Sequence, residues 1–190
     1  MTAVIRRATP LDAPDLAHLA ALTFPLACPP GTTDEDIAAF IAGNLTAAHF
    51  AQHISQPDTR VIVAQDAPLI HDDSRTPSTT PGRLRGYVLL IGGQLGAPAP
   101  EFGVRAARSA YLSKFYVHSS DHGGSVSRPL LAAACEAGRE LGAVSLWLAV
   151  NQLNARAIRF YEKSGLERVG VKTMQVGAEL HSDFVYEFAL

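Results

Sequence analysis

Tyr111-Leu-Ser-Lys-Phe-Tyr-Val117 runs into His118-Ser-Ser-Asp-His122-Gly-Gly-Ser-Val-Ser127. Read with Val144-Ser-Leu-Trp-Leu-Ala-Val150 and Asn154-Ala-Arg-Ala-Ile-Arg-Phe-Tyr161-Glu-Lys-Ser-Gly165, it decides the fold. The first segment is short, apolar and aromatic, as a buried strand is. The polar, glycine-containing run after it opens onto Val126, Leu130, Leu131, Ala134 and Leu141, which recur at helical spacing. Amides at such a strand–loop–helix junction have no acceptor inside the helix and point outward with the positive end of its dipole, so they suit a phosphate. Glycines let a ligand come close to the chain there. If the helix began at Ser125, the ring of Pro129 would clash with the Ser125 carbonyl, so a start near Ser127 is expected.

Val144–Val150 alternates, with Leu146, Leu148 and Val150 on one face and Trp147 and Ala149 on the other, which completes a βαβ unit. Asn154 is placed to cap a helix carried by Ala157, Ile158, Phe160 and Tyr161, which Gly165 can end in a left-handed conformation. Asn154 and Tyr161 are two helical turns apart, on one face and roughly 10 Å from each other along the axis.

Working outward, Ala3–Ala8 reads as a strand, and Thr9-Pro10-Leu11-Asp12 starts a helix with Leu16, Leu19, Ala20 and Leu22 as its apolar stripe. Phe24–Gly31, with three prolines, breaks that helix. Thr33-Asp34-Glu35-Asp36 caps an amphipathic run through Ile37, Phe40, Ile41, Leu45, Phe50 and Ile54, expected as one helix bent near Gly43-Asn44. Arg60–Ala64 and Leu84–Ile91 read as paired strands. Between them, 66–83 contains Pro68, Pro77, Pro81 and a Ser/Thr-rich stretch, and is expected to be a flexible surface loop. Gly92–Ala107 is a second irregular insert. Leu166–Val176 and Phe184–Ala189 read as closing strands joined by a polar turn at 177–183. No internal repeat is present.

A chain of 190 residues that is 47% hydrophobic is long enough to bury a proper core, and one domain over 1–190 is expected. The net charge of −2 and the scattered basic residues argue against nucleic acid as a partner. Cys28 and Cys135 have neither metal-site spacing nor the density of a disulfide framework and read as small hydrophobes. Met1-Thr-Ala-Val-Ile-Arg-Arg lacks the apolar run of a signal peptide, and no stretch reaches the length of a membrane span. A cytoplasmic protein without a membrane partner, monomeric or homodimeric, is expected. His49 and His53 have the i, i+4 spacing of metal ligands, but with no third ligand in sight they read as a solvated face, and no metal site is expected.

The ordered set of strand, His122-Gly123-Gly124-Ser125-Val126-Ser127 loop, helix, strand and Asn154-x-x-Ala157-x-x-Phe160-Tyr161-x-x-x-Gly165 resembles the acyl-CoA-binding core of the GNAT superfamily of N-acetyltransferases, and the element order fits over nearly the whole chain. The resemblance implies an α/β fold: a mixed, mostly antiparallel twisted sheet of about seven strands flanked by about four helices. It also implies acetyl-CoA as co-substrate, with its pyrophosphate held by main-chain amides of the loop His122–Ser127 and by Arg128. This loop departs from the usual Gln/Arg-x-x-Gly-x-Gly/Ala: His122 stands for the Gln or Arg, and Ser125 and Ser127 for the small positions, where a side chain resists positive φ. A narrower resemblance, to bacterial polyamine N-acetyltransferases, rests on Thr23-Phe24, Asp36–Phe50, Gly170–Gly177 and Asp183. It implies a small amine, polyamines favoured, with a protein amine as the other acceptor.

In similar enzymes the strand around Phe115, Tyr116 and Val117 pairs with pantetheine and aims a backbone amide at the thioester oxygen. By the same resemblance Tyr161 is the candidate acid for the departing thiolate, against the plain alternative of a core aromatic. Asn154 then contacts the coenzyme, caps its helix, or does both. No carboxylate lies in Tyr111–Lys114, where many relatives carry a glutamate base. His118, Glu101 or an acid in Asp34–Asp36 are the alternatives to a water relay. A non-catalytic acyl-CoA-binding domain is the second reading. A dinucleotide-dependent oxidoreductase is a poorer third, because no G-x-G-x-x-G follows the first strand.

Overall fold

The computed structural model describes the backbone of residues 3–67, 69–71, 78–80, 82–176 and 179–190. Its elements are β1 (Val4–Arg7), α1 (Ala13–Thr23), α2 (Asp34–Asn44), α3 (Ala47–Ser55), β2 (Thr59–Gln65), β3 (Leu69–His71), β4 (Ser78–Thr80), β5 (Leu84–Ile91), β6 (Ser109–Val117), α4 (Ser127–Glu140), β7 (Ser145–Asn151), α5 (Ala155–Lys163), β8 (Glu167–Val176) and β9 (Glu179–Ala189). Seven strands form one sheet in the order β1-β2-β5-β6-β7-β9-β8, so the mixed α/β architecture stands as expected.

One core layer lies under α1–α3, with Leu16, Leu19, Phe50, Val63, Tyr87 and Leu89 buried in it. The other lies under α4 and α5, around Leu130, Ala134, Leu146, Leu148, Tyr161 and Tyr186. The sheet is therefore covered on both faces. Capping follows the sequence. Thr9 and Asp12 close a capping box, Thr33 accepts from Asp36 N, and Asn154 accepts from Ala157 N. Helix α4 does start at Ser127, which puts Pro129 in the first turn, where an N–H would have no helical acceptor.

Three local expectations change. The run expected as one bent helix is two, because Thr46 starts a new helix, its Oγ1 accepting from His49 N, directly after the end of α2 at Asn44. Within 66–83, β3 and β4 pair as a short ladder, while 68, 72–77 and 81, and with them the expected flexible loop, lie outside the described residues. Strand β9 begins at Glu179 rather than Phe184, so Asp183, expected in a turn, is a ladder residue opposite Asn151 and Lys172; 177–178 lie outside the described residues.

Two features of β6 open the sheet. Strands β6 and β7 are the parallel pair, and they pair only at Ser109–Ser145, Ala110–Leu146 and Tyr111–Trp147; beyond Tyr111 no pairing joins them. Against β5 the register jumps from Leu90–Leu112 to Leu89–Lys114, which leaves Ser113 as a bulge. A bulge bends its strand and exchanges the faces of every later residue. Ala110 and Leu112 lie in the α4/α5 core before it; after it Phe115 and Val117 pack there, and Tyr116 packs on the α1–α3 side.

Candidate active site

The gap between β6 and β7 is a cavity of about 840 Å³ that reaches from the start of α4 and from α5 to α1 and α2. Of the site residues expected from the sequence, Phe115, Tyr116, Val117, His122, Gly123, Gly124, Ser125, Ser127, Arg128, Asn154 and Tyr161 all line it. Val126 does not: its side chain is fully buried in the core under α4. The alternative bases Asp34, Glu35, Asp36, Glu101 and His118 are also absent from the wall.

At the α4 end the loop is braced from three sides. Asp121, buried, accepts from Arg85 Nε at 2.9 Å and also from Arg85 Nη2, and His118 N donates to Arg85 O at 2.8 Å. The His122 ring bridges Val117 O (Nε2, 3.0 Å) and Arg156 Nη1 (Nδ1, 2.9 Å). Because the carbonyl can only accept, Nε2 carries the proton and Nδ1 accepts from the guanidinium. Within this loop positive φ falls on Gly123, at +73°, and among the described residues no non-glycine residue has positive φ, so Ser125 and Ser127 sit in ordinary backbone. The amides of Ser125, Val126, Ser127 and Arg128 have no acceptor among the described residues. That is the cradle a diphosphate fits, and Arg128, Arg156, Arg159 and Lys163 add cationic groups to the wall. The last three escaped the sequence reading, although they stand inside the Asn154–Gly165 motif.

Asn154 uses Oδ1 on Ala157 N at 3.1 Å, so it caps its own helix while lining the cavity. Tyr161 is buried among Phe115, Phe160 and Tyr186, ring centroids 5.5 to 6.2 Å away. Burial first, then the neighbouring Tyr116 and Tyr111, push its phenol well above the ordinary tyrosine value of 10. It is therefore a neutral donor throughout the physiological range. Tyr116 is shifted upward in the same way.

The α1–α2 end is walled by Thr23, Phe24, Cys28, Phe40 and Leu45, with Phe24 and Phe40 stacked at 4.4 Å. Two ionisable side chains enter there that sequence spacing did not single out as site residues, Lys114 from β6 and Asp183 from β9. Asp183 is buried, and its charge helps raise the phenols of Tyr111 and Tyr116. No group of three or more metal-ligating side chains occurs among the described residues, and His49 Nδ1 is engaged with Thr46 Oγ1 at 2.8 Å.

The acetyltransferase (GNAT) family model matches residues 46–166, which contain β6, the α4 loop, β7 and α5. Uncharacterized N-acetyltransferases of Mycobacterium tuberculosis and Mycobacterium bovis are 36% identical over 174 residues, 92% of this chain and 95% of theirs. Among solved structures, the PaiA N-acetyltransferase of Thermoplasma acidophilum in complex with coenzyme A superimposes over 100% of both chains, with TM-score 0.71 and 19% identity. The ribosomal-protein-alanine N-acetyltransferase of Brucella melitensis gives 0.66 and 22% over 98% of this chain and 99% of that one. The latter two establish likeness of fold. Splayed parallel strands, unpartnered amides at the α4 junction and the family match over that same stretch lead to one conclusion: the chain belongs to the GNAT family and is an acetyl-CoA-dependent acetyltransferase.

Proposed function

We propose that the enzyme moves acetyl from acetyl-CoA to a primary amine by direct attack in a ternary complex, without a covalent enzyme intermediate. The observation that carries this reading is the placement of the Tyr161 phenol and the unpaired length of β6 in one cavity with the amides of Ser125–Arg128. Those amides and Arg128 bind the diphosphate, which fixes where the thioester arm can run. The backbone of Phe115–Val117, free on the β7 side, pairs with that arm and offers an amide to the thioester oxygen. The coenzyme supplies an activated acyl group. As the amine nitrogen bonds to the acyl carbon and the C–S bond breaks, Tyr161 gives its proton to the sulfur.

The amine must also lose a proton. Among the described residues Asp183 is the carboxylate in the cavity wall, and it replaces His118, Glu101 and Asp34–Asp36 as the candidate acceptor. Two features had favoured a non-catalytic domain, the serines in the loop and the missing strand carboxylate. Positive φ falls on Gly123 and spares both serines, and Asp183 supplies a carboxylate from another strand.

The acceptor enters from the α1–α2 side. A polyamine would draw on Asp34 and Glu35, but both are exposed and outside the wall. No helix among the described residues is long and apolar enough to cross a membrane. A single domain over 1–190, cytoplasmic and monomeric or homodimeric, completes the proposal. Thiol release from acetyl-CoA across a panel of primary amines tests it. Turnover that depends on the amine, with no acetyl-enzyme trapped in its absence, is expected. A trapped acetyl-enzyme, or coenzyme binding without turnover on any amine, overturns it.

A further inference from the structure

We infer that Lys114 is a specificity-determining residue that pairs with a carboxylate on the acceptor, so that the preferred substrate is a carboxylate-bearing amine and not a polyamine. The inference rests on the acetyl-transfer reading above for the direction from which the acceptor arrives.

The bulge at Ser113 puts Lys114 opposite Leu89, on the face toward α1–α3, and into the cavity wall. It is partly buried, and among the described residues no carboxylate pairs with it. The titratable neighbour on α3 is His53, which carries no negative charge; burial first, then Lys114 and His49, lower its pKa. An ammonium withdrawn from water without a partner is costly, and burial alone pulls Lys114 below its ordinary value. The cavity is where a counter-charge can come from, and a ligand carboxylate would relieve that cost.

The rest of the wall agrees. Among the described residues its cationic side chains are Lys114, Arg128, Arg156, Arg159 and Lys163, against one carboxylate, Asp183. The last four cations stand on α4 and α5, on the diphosphate side. At the α1–α2 end the described residues of the wall include one cation, Lys114, and one carboxylate, Asp183, a set that suits an acceptor with one ammonium and one carboxylate. A polycation would meet Lys114 with no second acid among the described residues to hold it, and a phosphate dianion would overcharge a single ammonium.

The test uses full-length enzyme saturated with coenzyme A and matched pairs of acceptors: lysine with cadaverine, ornithine with putrescine, phenylalanine with phenethylamine. Calorimetry reads binding, and thiol release with acetyl-CoA reads turnover. In wild type the amino acid of at least one pair should bind roughly 10- to 100-fold tighter than its decarboxylated partner. Lys114→Met should erase that difference through KM, with coenzyme affinity unchanged as the check on folding, and Lys114→Arg should restore part of it. Equal or tighter binding of the decarboxylated amine in every pair overturns the inference. So does a Lys114→Met variant that lowers kcat alike for both members and leaves their ratio intact, since that marks a proton acceptor. A preference for the acid that Lys114→Met removes, seen in binding while no amine releases thiol, would keep the recognition role and sink the transferase reading instead.

Discussion

Arg85 on β5 and Asp121 in the loop before α4 are joined through Nε and Nη2, with both side chains almost excluded from solvent. The pair fixes the loop whose amides face the diphosphate, because Asp121 O also accepts from Gly124 N at 3.1 Å. Asp121→Ala should therefore weaken coenzyme A binding at least about tenfold and cost on the order of 1–3 kcal/mol of stability. The Arg85 hydrogen bond, chiefly, holds the Asp121 carboxyl below the ordinary aspartate range. Since it titrates lower when folded, its contribution is complete above the unfolded value of about 3.9 and is lost as pH falls through the folded one. Coenzyme affinity measured from pH 7 downward should hold through the ordinary aspartate value of about 3.9 and fall only as the pH passes the lowered value of Asp121, and Asp121→Asn should flatten that dependence.

Tyr161→Phe keeps the ring among Phe115, Phe160 and Tyr186 and removes the proton donor. A loss of roughly 10²- to 10⁴-fold in kcat is expected, with coenzyme affinity unchanged. The raised phenol predicts that the wild-type rate shows no alkaline loss assignable to Tyr161 below about pH 10. Steady-state kinetics across pH 6–10 check both.

Substitution at Gly123 and at the serines after it should differ in effect. Gly123→Ala meets no atom within contact, yet it forces a side chain to φ +73° at a cost of about 1 kcal/mol. Roughly fivefold weaker coenzyme binding is expected. Ser125→Gly/Ser127→Gly relieves no strain and should bind within about threefold of wild type, or more weakly if the hydroxyls donate to phosphate. Calorimetry that shows a large gain in affinity would contradict the observed backbone.

Tyr87 is fully buried between Phe50 and Tyr116, and its hydroxyl has no partner among the described residues. A buried, unpaired hydroxyl opposes folding. Tyr87→Phe should stabilise by about 1 kcal/mol, raising Tm by roughly 2–4 °C, as thermal unfolding followed by circular dichroism can show.

Much of the coenzyme end was legible because its signals are local. Asn154 caps the helix that Gly165 ends at φ +87°, and Pro129 by its own geometry sets the start of α4 at Ser127. Thr46 was a readable cap inside 37–54, but the apolar period runs through it, and one bent helix was expected where two exist. Asp183 looked like a turn residue because polar side chains surround it, whereas ladder pairing with Asn151 and Lys172 carries β9 through them.

Periodicity, capping and spacing within the chain were sufficient to determine the strand–loop–helix junction, the Asn154–Gly165 helix and the family they imply, since each depends on neighbours a few residues away. Only the tertiary structure decided which face Lys114 takes and that Asp183 and Lys114 share a wall. A one-residue bulge inverts every later side chain of β6 without leaving a mark on composition, and residues 69 positions apart come to line one cavity through sheet order, which no local pattern encodes.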